Sequence, residues 1–216
     1  MTRAGLACAL ALLLHGCAQA GPDTFTLSLV GTNDIHGTLL GPDGDNGLPV
    51  LGAYLANLRA ARTKDGGAVL LLDAGDMLQG SLESNLNEGQ TVIDAFNALG
   101  YQAAAIGNHE FDFGPEGPSA TPASPDDNPR GALEARLRQA RFPFLAANLI
   151  DTRTGRPVAL PNTSPSTVVE VAGIRIGLVG LLTEPAMSFT AAPNVAGLAT
   201  TPMLPALIAQ ATQLRA

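Results

Sequence analysis

The stretch Ala105-Ile106-Gly107-Asn108-His109-Glu110-Phe111-Asp112-Phe113 sets an amide, an imidazole and a carboxylate side by side just past the small-apolar run from Ala103 to Ile106. Two earlier clusters have the same setting, Asp34-x-His36 after Phe25 to Val30 and Gly75-Asp76 after Ala68 to Leu72; each follows an apolar run and sits in a glycine-containing turn. Carboxylate and amide oxygens with an imidazole suit a mixed N/O metal site for Mn, Zn or Fe rather than a sulfur site. A carboxylate such as Asp76 can bridge two ions. Any one cluster has a plainer explanation, since D-x-H occurs by accident, Asp after Gly is a common turn or helix cap, and Asn-His is a common hydrogen-bonded turn. Together they carry the reading, because His36 and His109 are the only histidines beyond the first twenty residues and each lies in a cluster. Asp73 reads as a turn or supporting residue rather than a ligand, and Glu110 as an orienting hydrogen-bond partner rather than a catalyst.

The elements that must position these groups alternate in type. Phe25 to Val30 is a β-rich alternating run ending at Gly31-Thr32, and Val50 to Arg62 repeats Leu51, Tyr54, Leu55 and Leu58 at helical spacing up to the stop at Asp65-Gly66-Gly67. Ala68 to Leu72 is an uninterrupted apolar run, as expected of a strand buried on both faces. Thr91 to Leu99 reads as an amphipathic helix closed by Gly100, Ala103 to Ile106 as a strand, Ala132 to Ala140 as a helix and Phe144 to Leu149 as a strand. The spacing further predicts a hairpin of Val168–Val171 with 174–180 around Gly173, and a helix starting over Leu204 to Leu214. The proline-rich segment 115–130 reads as a loop. Strands alternating with helices predict an α/β sandwich, and in open α/β sheets clusters at the carboxyl ends of strands converge on one crevice.

Asn33-Asp34-Ile35-His36-Gly37, Asp73-Ala74-Gly75-Asp76-Met77-Leu78-Gln79-Gly80 and Gly107-Asn108-His109-Glu110-Phe111-Asp112 resemble the first three motifs of the calcineurin-like metallophosphoesterases. Their order and wording are most similar to the secreted 5′-nucleotidase and 2′,3′-cyclic-nucleotide phosphodiesterase branch. The resemblance covers roughly Phe25 to Leu182. It implies a metallophosphoesterase-type αββα sandwich and two divalent ions (Zn, Mn or Fe). Asp34 and His36 would hold the first ion, Asp76 would bridge, Asn108 would hold the second, and His109 with Asp112 would form the catalytic pair. It implies hydrolysis of a nucleotide or other small phosphoester by a metal-activated hydroxide.

The pattern of that branch continues into two further histidine-bearing motifs and a nucleoside-gripping C-terminal domain, whereas no histidine follows His109. The expectation is therefore the N-terminal part of such an enzyme, an αββα sandwich incomplete at its C-terminus, with an uncovered apolar sheet face and poor turnover alone. A thiosulfohydrolase-like enzyme of the same branch and a non-catalytic, surface-anchored metal-binding remnant are the rival readings.

The first twenty residues read as a leader. Arg3 precedes the apolar run Leu6 to Leu14, too short to span a membrane, and small residues follow. Leu14-His15-Gly16-Cys17 resembles a bacterial lipobox, which would make Cys17 a lipidated N-terminus, while Ala18-Gln19-Ala20 would suit ordinary cleavage. The chain from 21 onward is then an exported portion of a catalytic domain, periplasmic or at the cell surface and lipid-anchored if Cys17 is acylated. Both cysteines lie in the leader, so the mature chain has no internal disulfide. With a net charge of −7 and no long Lys/Arg run, nucleic-acid polymers are unsuited as partners. The same balance poses a problem for an anionic substrate unless bound cations reverse the local sign. No feature of the sequence specifies an oligomeric state.

Overall fold

The computed structural model describes residues 24–41 and 44–216; the leader and Cys17 lie outside them. In chain order the elements are β1 Leu27–Thr32, α1 Leu48–Asp65, β2 Ala68–Asp73, α2 Leu82–Asn85, α3 Gln90–Leu99, β3 Ala103–Ala105, α4 Gly131–Gln139, β4 Phe144–Leu145, β5 Leu149–Asp151, β6 Arg156–Pro157, β7 Thr163–Ser164, β8 Ser166–Val171, β9 Ile174–Val179, β10 Leu198–Thr200 and α5 Met203–Arg215. Single 3-10 turns lie at His109–Phe111 and Ala186–Phe189.

β1, β2, β3, β4 and β7 form one sheet in that order, with every pairing parallel. Parallel neighbours need crossover connections, which α1, then α2 with α3, then α4 supply. α3 shows how the sequence sets the layer: Val92, Ile93 and Phe96 recur on one helical face and are fully buried. They meet Val69 and Leu71 of β2, Ala104 of β3 and Phe144 of β4 in one apolar cluster, joined by Leu55 of α1 and Leu133 and Leu137 of α4. Phe96 also stacks on Tyr101 at 4.0 Å.

The opposite face of this sheet meets the β8–β9 hairpin, an antiparallel pair whose turn residues Ala172 and Gly173 both have positive φ, as a tight two-residue turn matched to strand twist requires. α5 packs outside β9, with Leu214 against Gly177. The layers thus run helices, parallel sheet, hairpin sheet, helix, the αββα arrangement expected from the sequence. A small antiparallel sheet, β10-β5-β6, borders them.

One expected strand divides. Phe144 to Leu149 forms β4 and β5, which belong to different sheets, because the chain turns at Asn148. That fully buried side chain donates to Leu182 O (2.8 Å) and Thr201 O (2.9 Å) and accepts from Leu182 N (2.8 Å), which ties three segments together. The segment before α4 runs through irregular turns. Among the described residues no helix is long and apolar enough to cross a membrane.

Candidate active site

Because β1, β2 and β3 run parallel and in register, with Thr32 opposite Asp73 and Asp73 opposite Ala104, the segments that follow them leave from one edge of the sheet. The first two remain zipped beyond the strands. Asp34 N donates to Gly75 O and His36 N to Asp76 O, both at 3.0 Å, and Gly37 N to Met77 O at 2.8 Å. The third is tied in by side chains. The buried carboxylate of Glu110 accepts from Asp76 N (3.0 Å), Met77 N (2.8 Å) and Gly107 N (2.6 Å), so one side chain sews the β3 loop to the β2 loop. Asp76 returns the link, its Oδ1 accepting from His109 N at 2.9 Å.

The close approach explains two glycines. A Cβ on Gly107 would overlap Asp76 Oδ1, and one on Gly75, which has φ +101°, would come within 2.8 Å of Gly107 N. Asp34, His36 and Asp76 themselves sit at positive φ (51°, 49° and 59°), a region non-glycine residues seldom occupy and in which strain gathers at functional sites. The surrounding hydrogen bonds hold them there.

The six singled-out residues fall as follows. His36 Nδ1 lies 3.0 Å from Gln79 O; a carbonyl only accepts, so Nδ1 carries the proton and Nε2 keeps its lone pair for a ligand. That Nε2 stands 3.8 Å from Asp34 Oδ1, so the two atoms can share one ion at bonding distances of about 2.0–2.2 Å. The other oxygen of Asp34 accepts from the Asn33 amide. His109 Nδ1 meets Asp112 Oδ2 at 2.5 Å, and the rings of His36 and His109 lie edge to face with centroids 4.7 Å apart. Asn108 directly precedes the amide that binds Asp76, but among the described residues no hydrogen bond joins its side chain to the other five. Among those residues no three His, Cys, Asp or Glu side chains form a ready-made ligand set. The loops converge, while the carboxylates of Asp34 and Asp76 are turned to nearby N–H donors.

Charge balance tests whether cations fit. Asp34, Asp73, Asp76, Glu110 and Asp112 crowd this edge, and the Lys/Arg ion pairs among the described residues, Arg62–Asp65, Arg138–Glu134 and Arg153–Asp151, all lie elsewhere. Burial pushes the Asp73 carboxyl up to about 6, with the charges of Asp34 and Asp76 adding to it against hydrogen bonds from Thr32 and Gly75. Burial, then the charge of Asp76, pushes Glu110 up to about 7 despite its three amide donors. For His109, burial opposes the imidazolium, but the bond to and charge of Asp112, with Asp76 and Glu110 behind, raise its pKa above the ordinary value. The Tyr101 hydroxyl, buried and bonded to Thr32 near Asp73, is pushed up to about 12. Uncompensated carboxylates beside a lone-pair-bearing imidazole suit divalent cations. Asp34 and His36 present an oxygen and a nitrogen at a spacing one ion could bridge, and Asp76 and Asn108 stand on the two adjoining loops.

Three residues here carry no sequence signal: Thr32, which bonds Asp73 Oδ2 at 2.6 Å; Thr190, which bonds Asp112 Oδ1 at 2.6 Å; and buried Asn194, which bonds Phe111 O at 2.8 Å.

No protein-family model matches the chain. A 5′-nucleotidase of Vibrio cholerae is 33% identical over 186 residues, covering 83% of this chain and 30% of that protein. The crystal structure of a 5′-nucleotidase precursor from Thermus thermophilus superposes with a TM-score of 0.66 at 31% identity, over 88% of this chain and 34% of that one. A sulfate thiohydrolase, SoxB, from the same organism superposes at 0.69 with 18% identity, over 90% of this chain and 42% of that one, a likeness of fold alone. The chain spans about a third of the length of these relatives. In sequence and in fold it is a relative of the 5′-nucleotidases, the resemblance its three motifs carry.

Proposed function

We propose that this relative of the 5′-nucleotidases carries the metal-holding and acid–base part of a phosphoester hydrolase that acts on nucleoside 5′-monophosphates outside the cytoplasm. The observation that carries the reading is the His109–Asp112 pair set beside His36, whose Nε2 stands 3.8 Å from Asp34 Oδ1. Asp34 and His36 would hold one divalent cation, Asp76 would be shared, and Asn108 would contribute to the second; Zn, Mn and Fe all suit the donor set. When bound, such ions supply positive charge opposite the phosphoryl oxygens and acidify water.

The chain's own groups have separate roles. Asp112 accepts the Nδ1–H hydrogen bond of His109 and fixes the ring, so Nε2 of the protonated ring is the atom that delivers a proton to the departing ester oxygen. The hydrogen bond to and charge of Asp112, which raise the pKa of His109, favour the protonated ring. Glu110 acts on the backbone only, holding the loops of Asp76 and Asn108 at a fixed spacing. The nucleotide as substrate rests on the name of the relatives, and export rests on the apolar run Leu6 to Leu14, with anchoring through Cys17.

The test is phosphate release from a nucleoside 5′-monophosphate with added Mn or Zn, beside elemental analysis of bound metal. Metal-dependent release is expected. A metal-loaded protein that leaves nucleoside monophosphates intact overturns the reading. Cys17→Ala should release the protein from membranes; unchanged fractionation and N-terminal mass would instead assign ordinary cleavage.

A further inference from the structure

We infer that Thr190 is a positioning residue for the His109–Asp112 pair, holding the Asp112 carboxylate by its second oxygen. The inference rests on the proposed role of that pair. Asp112 Oδ2 accepts from His109 Nδ1–H at 2.5 Å, and Asp112 Oδ1 accepts from Thr190 Oγ1 at 2.6 Å, a bond reaching 78 residues along the chain. The two oxygens are thus fixed from opposite sides. His109–Phe111 is a single 3-10 turn, a short element of poorer hydrogen-bond geometry than an α-helix. With His109 as its only partner, the carboxylate could swing about its side-chain torsions and carry the imidazole with it. A hydroxyl suits this task. It donates without neutralising the carboxylate, as a Lys or Arg would, and Asp112 remains a full acceptor for the imidazole N–H.

The segment that delivers Thr190 is anchored independently. Asn194, fully buried, donates to Phe111 O at 2.8 Å and to Ala120 O at 2.9 Å, and its own N–H binds Ala191 O at 2.9 Å. One short segment therefore grips the turn twice, by its backbone at Phe111 and by its carboxylate at Asp112. Since Asn194 already fixes the segment to the turn, the Thr190 hydroxyl is not needed for docking, and its effect falls on the orientation of Asp112.

The experiment compares Thr190→Val, which keeps the shape and removes the hydroxyl, with Thr190→Ser, which keeps the hydroxyl, in the metal-loaded full chain. Thr190→Val is expected to lower kcat by about tenfold with KM within about twofold, as for loss of orientation at a reacting group, and Thr190→Ser to stay within about twofold of the parent. In a His109→Asn background the Val substitution should change kcat no further. A fall in kcat of equal size in both backgrounds, a change in KM alone, or no recovery with Ser overturns the proposal. A readout independent of turnover is 15N NMR of the His109 ring at a pH high enough to make the ring neutral, where Thr190→Val should shift the population away from the Nδ1-protonated, Asp112-bonded tautomer. If the parent hydrolyses nothing but this shift is seen, the positioning role stands and the hydrolase reading fails. An unchanged ring spectrum overturns the positioning role whatever the activity.

Discussion

Asp73 sits in an environment at odds with its charge: 5% exposed, its carboxyl pushed up to about 6 by burial, held by Thr32 and by the amide of Gly75 at 2.8 Å. A folded-state pKa above the ordinary 3.8 means that its contribution to stability is full below about pH 4 and is lost as pH rises through about 6. In chelator-treated protein this loss amounts to about 3 kcal/mol by pH 7.5. Asp73→Asn keeps an oxygen for Gly75 and carries no charge, so its urea midpoint relative to the parent should be clearly higher at pH 7.5 than at pH 4.5, where only about a third of the loss has developed. An equal difference at both values rejects the argument. Glu110, pushed to about 7, adds a slope of the same sign that should persist in the variant. His109→Asn removes the proposed proton donor but none of the proposed metal donors; it should lower kcat by about 10²–10⁴-fold with bound metal unchanged, and loss of metal would instead make His109 a ligand. The candidate site residues were legible from their types, because His36 and His109 are the only histidines beyond the leader and both fall in glycine-turn clusters. Thr190, Asn148 and Asn194 were not, since a lone hydroxyl or amide in a loop acquires meaning only through a partner far along the chain.

Among the elements, the longer ones were legible and the short ones were not. α3 announces itself through Val92, Ile93 and Phe96, and β2 through an unbroken apolar run, whereas β6 and β7, of two residues each, are too short to show any period. The division at Asn148 was hidden for a different reason: Asn148 is the one polar residue in the otherwise apolar run Phe144 to Leu149, and only its contacts with Leu182 and Thr201 turn the chain there. The loops after β2 and β3 function as one unit because Gly107 lets Asp76 lie against its backbone. Gly107→Ala would push the Asp76 carboxylate off His109 N while leaving the strands paired. Its affinity for Mn in a direct titration should fall by about 10–100-fold, the usual scale for disturbing what orients a ligand, with the far-UV spectrum unchanged. Parent-like affinity would place Asp76 outside the metal site.

At the scale of the whole molecule the two sheets are unequal. The five-stranded sheet is met on one face by a hairpin of two strands, which leaves a cleft of about 370 Å3 lined by Gly31, Leu72, Ala103, Leu145, Leu178 and Val179 and does not cover edge strand β1. Alternation in Leu27-Ser28-Leu29-Val30 tells which side chains share a face, and its apolar members would be expected inward. Here the leucines point to the uncovered side, with Leu27 38% and Leu29 65% exposed, while Val30 packs toward the helices. Periodicity identifies a face, and only the neighbouring layer decides whether it is buried. α5 repeats the pattern, with Leu204 65% and Ile208 57% exposed. Leu29→Lys tests this arrangement. A side chain already about two-thirds exposed contributes at most about 1 kcal/mol by burial, so the unfolding free energy should move by no more than that. A charge on a sheet edge deters strand-to-strand association, so concentration-dependent light scattering and binding of a hydrophobic dye should both fall. A loss of about 3 kcal/mol, of the size seen when a core leucine is removed, with dye binding unchanged, would mean that Leu29 is covered in solution and that the β1 face is not open.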